Sequence, residues 1–457
     1  MEMKYKNIWK SFLVLSVVAG FGTGCKKFLD APPVQSIPKT IALADEKGVI
    51  ETMNGAYQIV GGGNMFGGKI QVMSELMADQ LDGSQLSGDF GETYGRKTSV
   101  FGEYKNNMYT DIYQAIYRAN VVLENLGVTN AMKDNLEGQG RFVRALSHFE
   151  LVKLWAQPYG YTSDNSHLGV PLRIATTIVS QPRATVKQVY DQIIADLKIA
   201  EVKLPDNNNG YATKWAAKAL LAKVYFQMND FVNAYTYADQ VISSNKFFLD
   251  TYASRFSETG SKESIFKIIN SYGTYEPGGE LRGQFRSDFN LPTLRFTTAF
   301  WATVNTANDT RKALYETVKY PGFIASKKYN NDRFEIPVFH LTEMKLIRAE
   351  AAAEQNAHLD VAIQDLNDIL NRAYGGTKSI PSSSSASLIK ANARLERSIE
   401  LAGEGNRLSE IKRIGARGEN IDKRGAAWNC NGLILQFPQG EMATNTGFTR
   451  NPEGGCN

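Results

Sequence analysis

The sequence predicts a mainly α-helical protein, in which a helical-repeat scaffold carries a loop-rich insertion domain that forms the ligand face. Several segments place apolar residues at three- and four-residue steps, the period of an amphipathic helix. Two long stretches, 60–107 and 250–338, are instead rich in Gly, Asn, Ser and aromatic residues. Because long connections of this kind inside a compact domain are usually functional, we expect them to form the ligand face.

The first helices have clear limits. Residues 108–126 carry an apolar residue at every third or fourth position and are followed by a glycine. A second helix is predicted from about 139 to 155, before a proline and a glycine. The third starts at a capping box, with Thr185 as the N-cap and Gln188 three residues later. These signals predict three consecutive amphipathic helices.

The remaining helices come in pairs, with alanines where the two members approach closely. The pairs are 214–228 with 231–243, 339–354 with 359–374, and 388–403 with 406–415. Pairs of about 34 residues with small residues at the crossing are typical of tetratricopeptide-like repeats. We therefore assign the scaffold to about 40–60, 108–250 and 339–415, with a C-terminal tail at 416–457. Only 379–387 resembles a flexible low-complexity loop.

The N-terminus has the organisation of a secretory signal peptide. Three lysines precede an apolar run at 11–19, and the small residues of 22–24 lead directly to Cys25. This order is similar to the lipobox of bacterial lipoproteins, which implies removal of residues 1–24 and acylation of Cys25. Attachment to the membrane then depends on lipid chains. An ordinary secreted protein cleaved near Cys25 is the alternative.

Composition excludes several classes of protein. Removing 1–24 leaves 433 residues whose formal charge is +2, because the signal holds three lysines and one glutamate of a chain at +4. Nucleic-acid binding would need a clustered basic face, so no nucleic-acid partner is expected. The two remaining cysteines, Cys430 and Cys456, lie in the tail without metal-ligand spacing. In an exported protein they are candidates for a disulfide.

No motif demands catalysis. Residues 63–69 match the spacing of a phosphate-binding loop, but Ile70 stands where a hydroxyl would bind magnesium. The four histidines are isolated from one another in sequence. Glu396 and Glu400 resemble an acid/base pair only superficially, since they lie among Arg394, Arg397 and Arg407 at helical spacing, which favours a structural ion-pair network. We expect no enzyme activity, no catalytic residue, no metal and no cofactor.

Aromatic residues in the two insertions suggest binding. Sugar rings have apolar faces edged by hydroxyl groups, so a glycan-binding protein needs flat aromatic platforms beside polar side chains, and the same rings suit peptides. The candidates lie among Asn, Arg and Asp residues and are Tyr94, Phe101, Tyr104, Tyr272, Tyr275 and Trp301. The alternative for each of them is an ordinary core position.

Several ordered motifs resemble the SusD/RagB family of nutrient-binding lipoproteins, the partners of TonB-dependent transporters. Each motif is short, but together they span nearly the whole mature chain. They are CKKFLD at 25–30 with Pro32 and Pro33, SELMAD at 74–79, the run Tyr113, Ile116, Ala119 and Asn120, RALSHFELVKLW at 144–155, GVPL at 169–172, LTEMKLIRAE at 341–350, ERSIELAGEGNRLSEIKR at 396–413 and FPQGE at 437–441.

The resemblance implies a single domain at 25–457, built on four tetratricopeptide-like units. It also implies a lipid-anchored protein of the outer membrane, facing outward, that captures a glycan and passes it to a SusC-like TonB-dependent transporter. In the RagB branch the ligand is a peptide. A scaffold lipoprotein of outer-membrane assembly is the alternative from a different class. The family does not fix the ligand residues, so the aromatic candidates remain our own prediction.

Overall fold

The computed structural model describes residues 42–97, 99–177, 179–269, 277–419 and 422–456. Helices dominate these ranges. They are α1 (Glu46–Gly61), α2 (Lys69–Met77), α3 (Gly88–Tyr94), α4 (Glu103–Glu124), α5 (Lys133–Trp155), α6 (Val186–Lys203), α7 (Lys214–Gln227), α8 (Phe231–Ile242), α9 (Tyr252–Arg255), α10 (Gly279–Phe285), α11 (Thr298–Val304), α12 (Leu341–Gln355), α13 (Leu359–Tyr374), α14 (Ala386–Glu400), α15 (Arg407–Gly415) and α16 (Gln439–Thr444). Short 3₁₀ helices span Leu126–Val128, Thr310–Leu314 and Asn431–Leu433.

The strands are short and form two-stranded antiparallel pairs. They are β1 (Leu81–Asp82) with β5 (Arg295–Phe296), β2 (Leu168–Pro171) with β3 (Arg183–Thr185), β4 (Ser264–Ile268) with β8 (Ile336–His340), β6 (Tyr315–Glu316) with β7 (Ala325–Ser326), and β9 (Asp422–Lys423) with β10 (Ala426–Ala427). The predicted mainly α-helical class is confirmed.

Side-chain caps explain where the helices begin. The Thr185 side chain accepts a hydrogen bond from the Gln188 backbone N–H, and the Gln188 side chain accepts one from the Thr185 backbone N–H, which completes the predicted capping box. Thr213 and Asp230 cap the two members of the pair α7–α8. Each such cap contributes about 1 kcal/mol.

Sequential helices pack against one another in the repeat pattern that the alanines predicted. Helix α5 contacts α4 and α6, α7 contacts α8, and α12 contacts α8, α13 and α14. Fully buried alanines at 216, 219 and 222 allow α7 to approach its neighbours closely. A large core runs through the N-terminal helices and the insertions, and a smaller one lies between α12, α13 and α14.

The first insertion is less irregular than expected. Residues 60–107 include α2, every residue of which is buried, together with α3 and the first turn of α4. The glycine-rich loop at 63–69 leads directly into helix α2. Lys69 begins this helix with its ammonium group 4.3 Å from the centre of the Tyr104 ring, so the lysine is part of the packing. In the described ranges no helix is both long and apolar enough to cross a membrane.

The C-terminal tail is held by a disulfide between Cys430 and Cys456, whose Cα atoms are 5.1 Å apart. Their separation of 26 residues predicts that replacing both with serine lowers the free energy of unfolding by about 3 kcal/mol, because the unfolded chain gains the entropy of an open loop. Denaturant unfolding of the two proteins measures this loss. An unchanged unfolding midpoint would contradict the prediction.

Candidate functional site

Strand pairing brings parts of the two insertions together. Leu81 of β1 pairs with Phe296 of β5, which also bridges to Ile324. Beside this contact the Gln85 side chain donates a hydrogen bond of 3.1 Å to the carbonyl of Thr293. We call the segments 81–101, 286–301 and 315–324 the insertion face.

Phe289 is the most exposed aromatic ring of the insertion face. It is 67% exposed, and the guanidinium group of Arg286 stacks 4.2 Å from its centre. Arg286 is fixed in this position by Asp288, at 2.6 Å, and by Asp332, at 2.7 Å. The arginine supports the ring, which leaves a flat apolar surface facing solvent beside two carboxylates.

Phe323 repeats this arrangement. The guanidinium group of Arg295 lies 4.5 Å from the centre of its ring, and the ring is 37% exposed. Arg295 is buried, and its Nε has no hydrogen-bond partner in the described part of the chain. Nearby, the Tyr320 hydroxyl donates a 3.0 Å hydrogen bond to the carbonyl of Ser287 and joins the two loops that carry Phe289 and Phe323.

Two of the predicted aromatic residues have rings that are already covered. The guanidinium group of Arg424 lies 3.7 Å from the centre of the Tyr94 ring, and Gly83 packs so closely that a Cβ there would lie 2.3 Å from it. Tyr104 packs edge-on against Phe90, with ring centres 4.7 Å apart, and beneath Lys69. Burial, followed by the charge of Glu280, raises the pKa of Tyr104. Neither ring offers a free platform.

The other candidates have different surroundings. Phe101 is 65% exposed and directly precedes α4. Trp301 is half-buried in α11, with its ring centre 5.8 Å from that of Tyr315. Tyr272 and Tyr275 lie outside the described residues, as does Cys25.

Sequence reasoning therefore missed Phe289 and Phe323. The available signal was the turn chemistry in front of each ring, Ser-Asp before Phe289 and Pro-Gly before Phe323. Turn residues place the following side chain at the surface.

Glu396 and Glu400 belong to a buried ion network, as predicted, but the predicted partners were wrong. Arg311 contacts Glu396 at 2.6 Å, Glu400 at 3.1 Å and Asp309 at 2.8 Å. Arg372 lies 2.8 Å from Glu400. Burial opposes ionisation of Glu400, but the charges of Arg372, Arg311 and Arg255 lower its pKa to about 2.

The three arginines named from the sequence point elsewhere. Arg394 binds Glu350 and Glu419, Arg397 lies 3.5 Å from Glu343, and Arg407 binds Asp79. The spacing in the sequence indicated arginines that are near the two glutamates in the chain. The buried partners of these glutamates come instead from distant segments. The network ties the second insertion to helices α13 and α14.

A cavity of about 980 Å³ lies among residues outside the insertion face. It is lined by Tyr109, Tyr113 and Tyr117 of α4, by residues 173–177 and by the tail around Glu441. We call it the tyrosine groove. Tyr113 is held by a 2.8 Å hydrogen bond from its hydroxyl to the carbonyl of Pro171.

Among the described residues, no cluster of His, Cys, Asp and Glu side chains has the arrangement of a metal site. His148 is completely buried, and desolvation lowers its pKa to about 4, so this imidazole is neutral. Its environment is that of a core residue.

Comparison with protein families matches the chain in two parts. Residues 27–226 match the family described as starch-binding and associating with the outer membrane, and residues 225–453 match the SusD family. The chain is 25% identical to SusD-like protein P2 of Formosa agariphila, with 99% of this chain and 100% of that protein covered. It is also 25% identical to SusD-like protein P25 of the same bacterium, over 62% of this chain and 54% of P25. The matches thus span about half the length of P25, and likewise 54% of the relative P38.

Solved structures share the fold. A SusD superfamily protein from Bacteroides vulgatus superposes with a TM-score of 0.78 at 24% identity, covering 89% of this chain and 99% of that one. The surface glycan-binding protein A from Bacteroides uniformis gives a TM-score of 0.72 at 19% identity, with 89% and 99% covered. At these identities the likeness concerns the fold alone.

Proposed function

The chain belongs to the SusD family, and from this premise we propose that it is a non-catalytic lipoprotein that captures an oligosaccharide and delivers it to a TonB-dependent transporter. Acylated Cys25 would anchor it to the outer membrane, with the domain facing outward. The family descriptions, starch-binding and associated with the outer membrane, support the ligand class and the location.

The observation that carries the ligand proposal is the Phe289 platform. Its ring is exposed on one side and supported by Arg286 on the other, with Asp288 and Asp332 close by. An apolar flat surface bordered by hydrogen-bonding groups matches the faces and edges of a pyranose ring. Phe323, supported by Arg295, provides a second ring on the same face.

Substitution tests this assignment. Phe289→Ala should weaken the binding of the recognised glycan by about 1 to 3 kcal/mol, the range for truncation of an interface anchor. The melting temperature should hardly change, since a ring that is 67% exposed buries little surface in the free protein. Calorimetry against panels of neutral and charged oligosaccharides and of peptides measures the first quantity, and thermal unfolding measures the second.

Phe248→Ala is the matched control, because Phe248 is also an exposed phenylalanine, at 56%, and lies outside the insertion face. It should leave glycan affinity unchanged. Equal losses in the two variants would contradict the platform. Binding of peptides with no glycan binding would instead favour a RagB-type function. Co-purification with barrel-assembly proteins and without a transporter would favour an assembly scaffold.

A further inference from the structure

The tyrosine groove has the construction of a second ligand site. Tyr109, Tyr113 and Tyr117 follow one another at four-residue intervals on α4, so they lie on one face of the helix about 6 Å apart along its axis. Exposure rises along this row, from 5% at Tyr109 to 45% at Tyr117. The groove therefore runs from a buried floor to an open edge lined by aromatic rings.

An unsatisfied polar group lies on that floor. The Tyr109 hydroxyl is buried and has no hydrogen-bond partner among the described residues. Burial, followed by the proximity of Tyr113 and Glu441, raises its pKa well above the ordinary value, so the group is a neutral donor. A ligand that supplied an acceptor in good geometry would therefore satisfy this hydroxyl group.

The charges that line the groove favour an anion. Neither Arg118 nor Arg173 has a carboxylate at ion-pair distance within the described ranges, and Arg173 only donates a 2.7 Å hydrogen bond to the carbonyl of Val179. Glu441 is the acidic residue of the lining, and it already accepts a 2.7 Å hydrogen bond from Asn445. Glu124, beside the rim, is bonded to Thr176.

The segment that carries Arg173 is positioned from below. The Asn120 side chain donates to the carbonyls of Arg173 and Ala175, both at 3.2 Å, and Arg144 donates to the carbonyl of Ile174 at 3.0 Å. Arg144 also donates to the Asn120 side-chain oxygen at 2.8 Å. The cation of Arg173 therefore sits on a fixed backbone opposite the tyrosine row.

We propose that the tyrosine groove binds an acidic oligosaccharide, a chain of uronic acid type that carries carboxylate groups. Arg118 and Arg173 would bind its carboxylates, the Tyr109 hydroxyl would donate to a sugar oxygen, and the Tyr117 ring would pack on a sugar face. The proposal rests on the proposed function only for the glycan class. The groove is separate from the insertion face, so the two sites can be tested independently.

The probes are hexagalacturonate and hexamannuronate, with α-1,4-linked galactohexaose and mannohexaose as neutral counterparts and hexaglutamate as an acidic peptide. Calorimetry on the mature protein should show tighter binding of an acidic sugar than of its neutral counterpart. Arg118→Gln should weaken that binding about tenfold, the loss of one charge-assisted hydrogen bond. Lys133→Gln, which removes an exposed positive charge elsewhere, should leave it unchanged.

Tyr109→Phe separates ligand binding from a structural role. Removing only the hydroxyl should weaken the acidic sugar about fivefold or more, while the melting temperature stays constant or rises, because the folded protein loses an unsatisfied group. A variant that melts earlier and binds normally would overturn the proposal. Phe248→Ala, which alters an exposed ring outside both sites, should leave acidic-sugar affinity unchanged.

Other outcomes also decide the matter. Equal affinity for acidic and neutral sugars, or equal losses in Arg118→Gln and Lys133→Gln, would overturn the acidic site. Equally tight hexaglutamate binding would overturn the glycan class in favour of acidic peptides. Neutral-glycan binding that depends on Phe289, with no acidic-sugar binding, would overturn this inference and leave the proposed function standing. Binding of none of the sugars would overturn both.

Discussion

Replacing Arg311 with methionine should lower the free energy of unfolding by about 3 to 5 kcal/mol, the usual cost of removing one partner from a buried ion pair. The Arg311 side chain is 1% exposed and lies at ion-pair distance from three carboxylates, those of Asp309, Glu396 and Glu400. Methionine has a similar volume, so lost packing contributes little to the decrease in the free energy of unfolding. The loss arises from carboxylates that remain buried without their counter-charge. Denaturant unfolding measures it.

The same variant should show a characteristic pH dependence. In the folded protein the pKa of Glu400 is about 2, below its ordinary value of 4.5. A lowered folded pKa adds stability above pH 4.5, and this stability is lost as the pH falls from 4.5 towards 2. Removing Arg311 takes away one of the charges that lower this pKa, so acid unfolding should begin at a higher pH than in the parent protein.

Arg450→Met is the control for this substitution. Arg450 pairs with Glu453 at 2.6 Å, but its side chain is 44% exposed. Surface pairs of this kind contribute about 0 to 1 kcal/mol, so stability should barely change. If Arg311→Met were as stable as Arg450→Met, the network would not fasten the second insertion to the scaffold.

The Arg311 network also shows which features of this protein can be predicted from its sequence and which cannot. Glu396 and Glu400 are one helical turn apart, and the arginines near them in sequence indicated a structural role. Arg311 lies 85 residues before Glu396 in the chain. Nothing local relates the two, since their meeting depends on how the second insertion packs against α14. The role was therefore predictable and the partner was not.

The helices could be predicted because the signals that define them are local in the sequence. Residues 359–374 were predicted as the second helix of a pair, and they form α13 with the same bounds. Period, caps and alanine crossings are local signals, and in this chain they agree with the packed structure. A scaffold built from helix pairs that are neighbours in sequence can be predicted largely from these local signals.

The binding surfaces depend on distant contacts. Tyr94 resembled a platform, but Arg424, 330 residues away, covers its ring. One part of the tyrosine groove's lining is formed by Glu441 and its neighbours, from the far end of the chain. Whether an aromatic side chain is free or covered is decided by such contacts, and its immediate sequence gives only a weak indication.

Cys25→Ser should release the protein from the membrane entirely, if Cys25 is the acylated N-terminus that we propose. Each buried methylene contributes about 0.8 kcal/mol, and lasting attachment needs more than one acyl chain. A serine at this position has no thiol to accept the diacylglycerol group, so all of this free energy is lost together. The variant should move from the membrane fraction to the soluble fraction and take up no palmitate analogue.

The double variant Cys430→Ser and Cys456→Ser provides the matched control. It removes the other two of the three cysteines in the chain, so any labelling through the tail would disappear with it. We expect this control to keep both its palmitate label and its membrane fractionation, because its change is confined to the disulfide. Protease treatment of intact cells would then test whether the anchored domain faces outward. Persistent labelling of Cys25→Ser would show that the acyl chains are attached elsewhere, whereas a parent protein that takes up no palmitate analogue would favour an ordinary secreted protein.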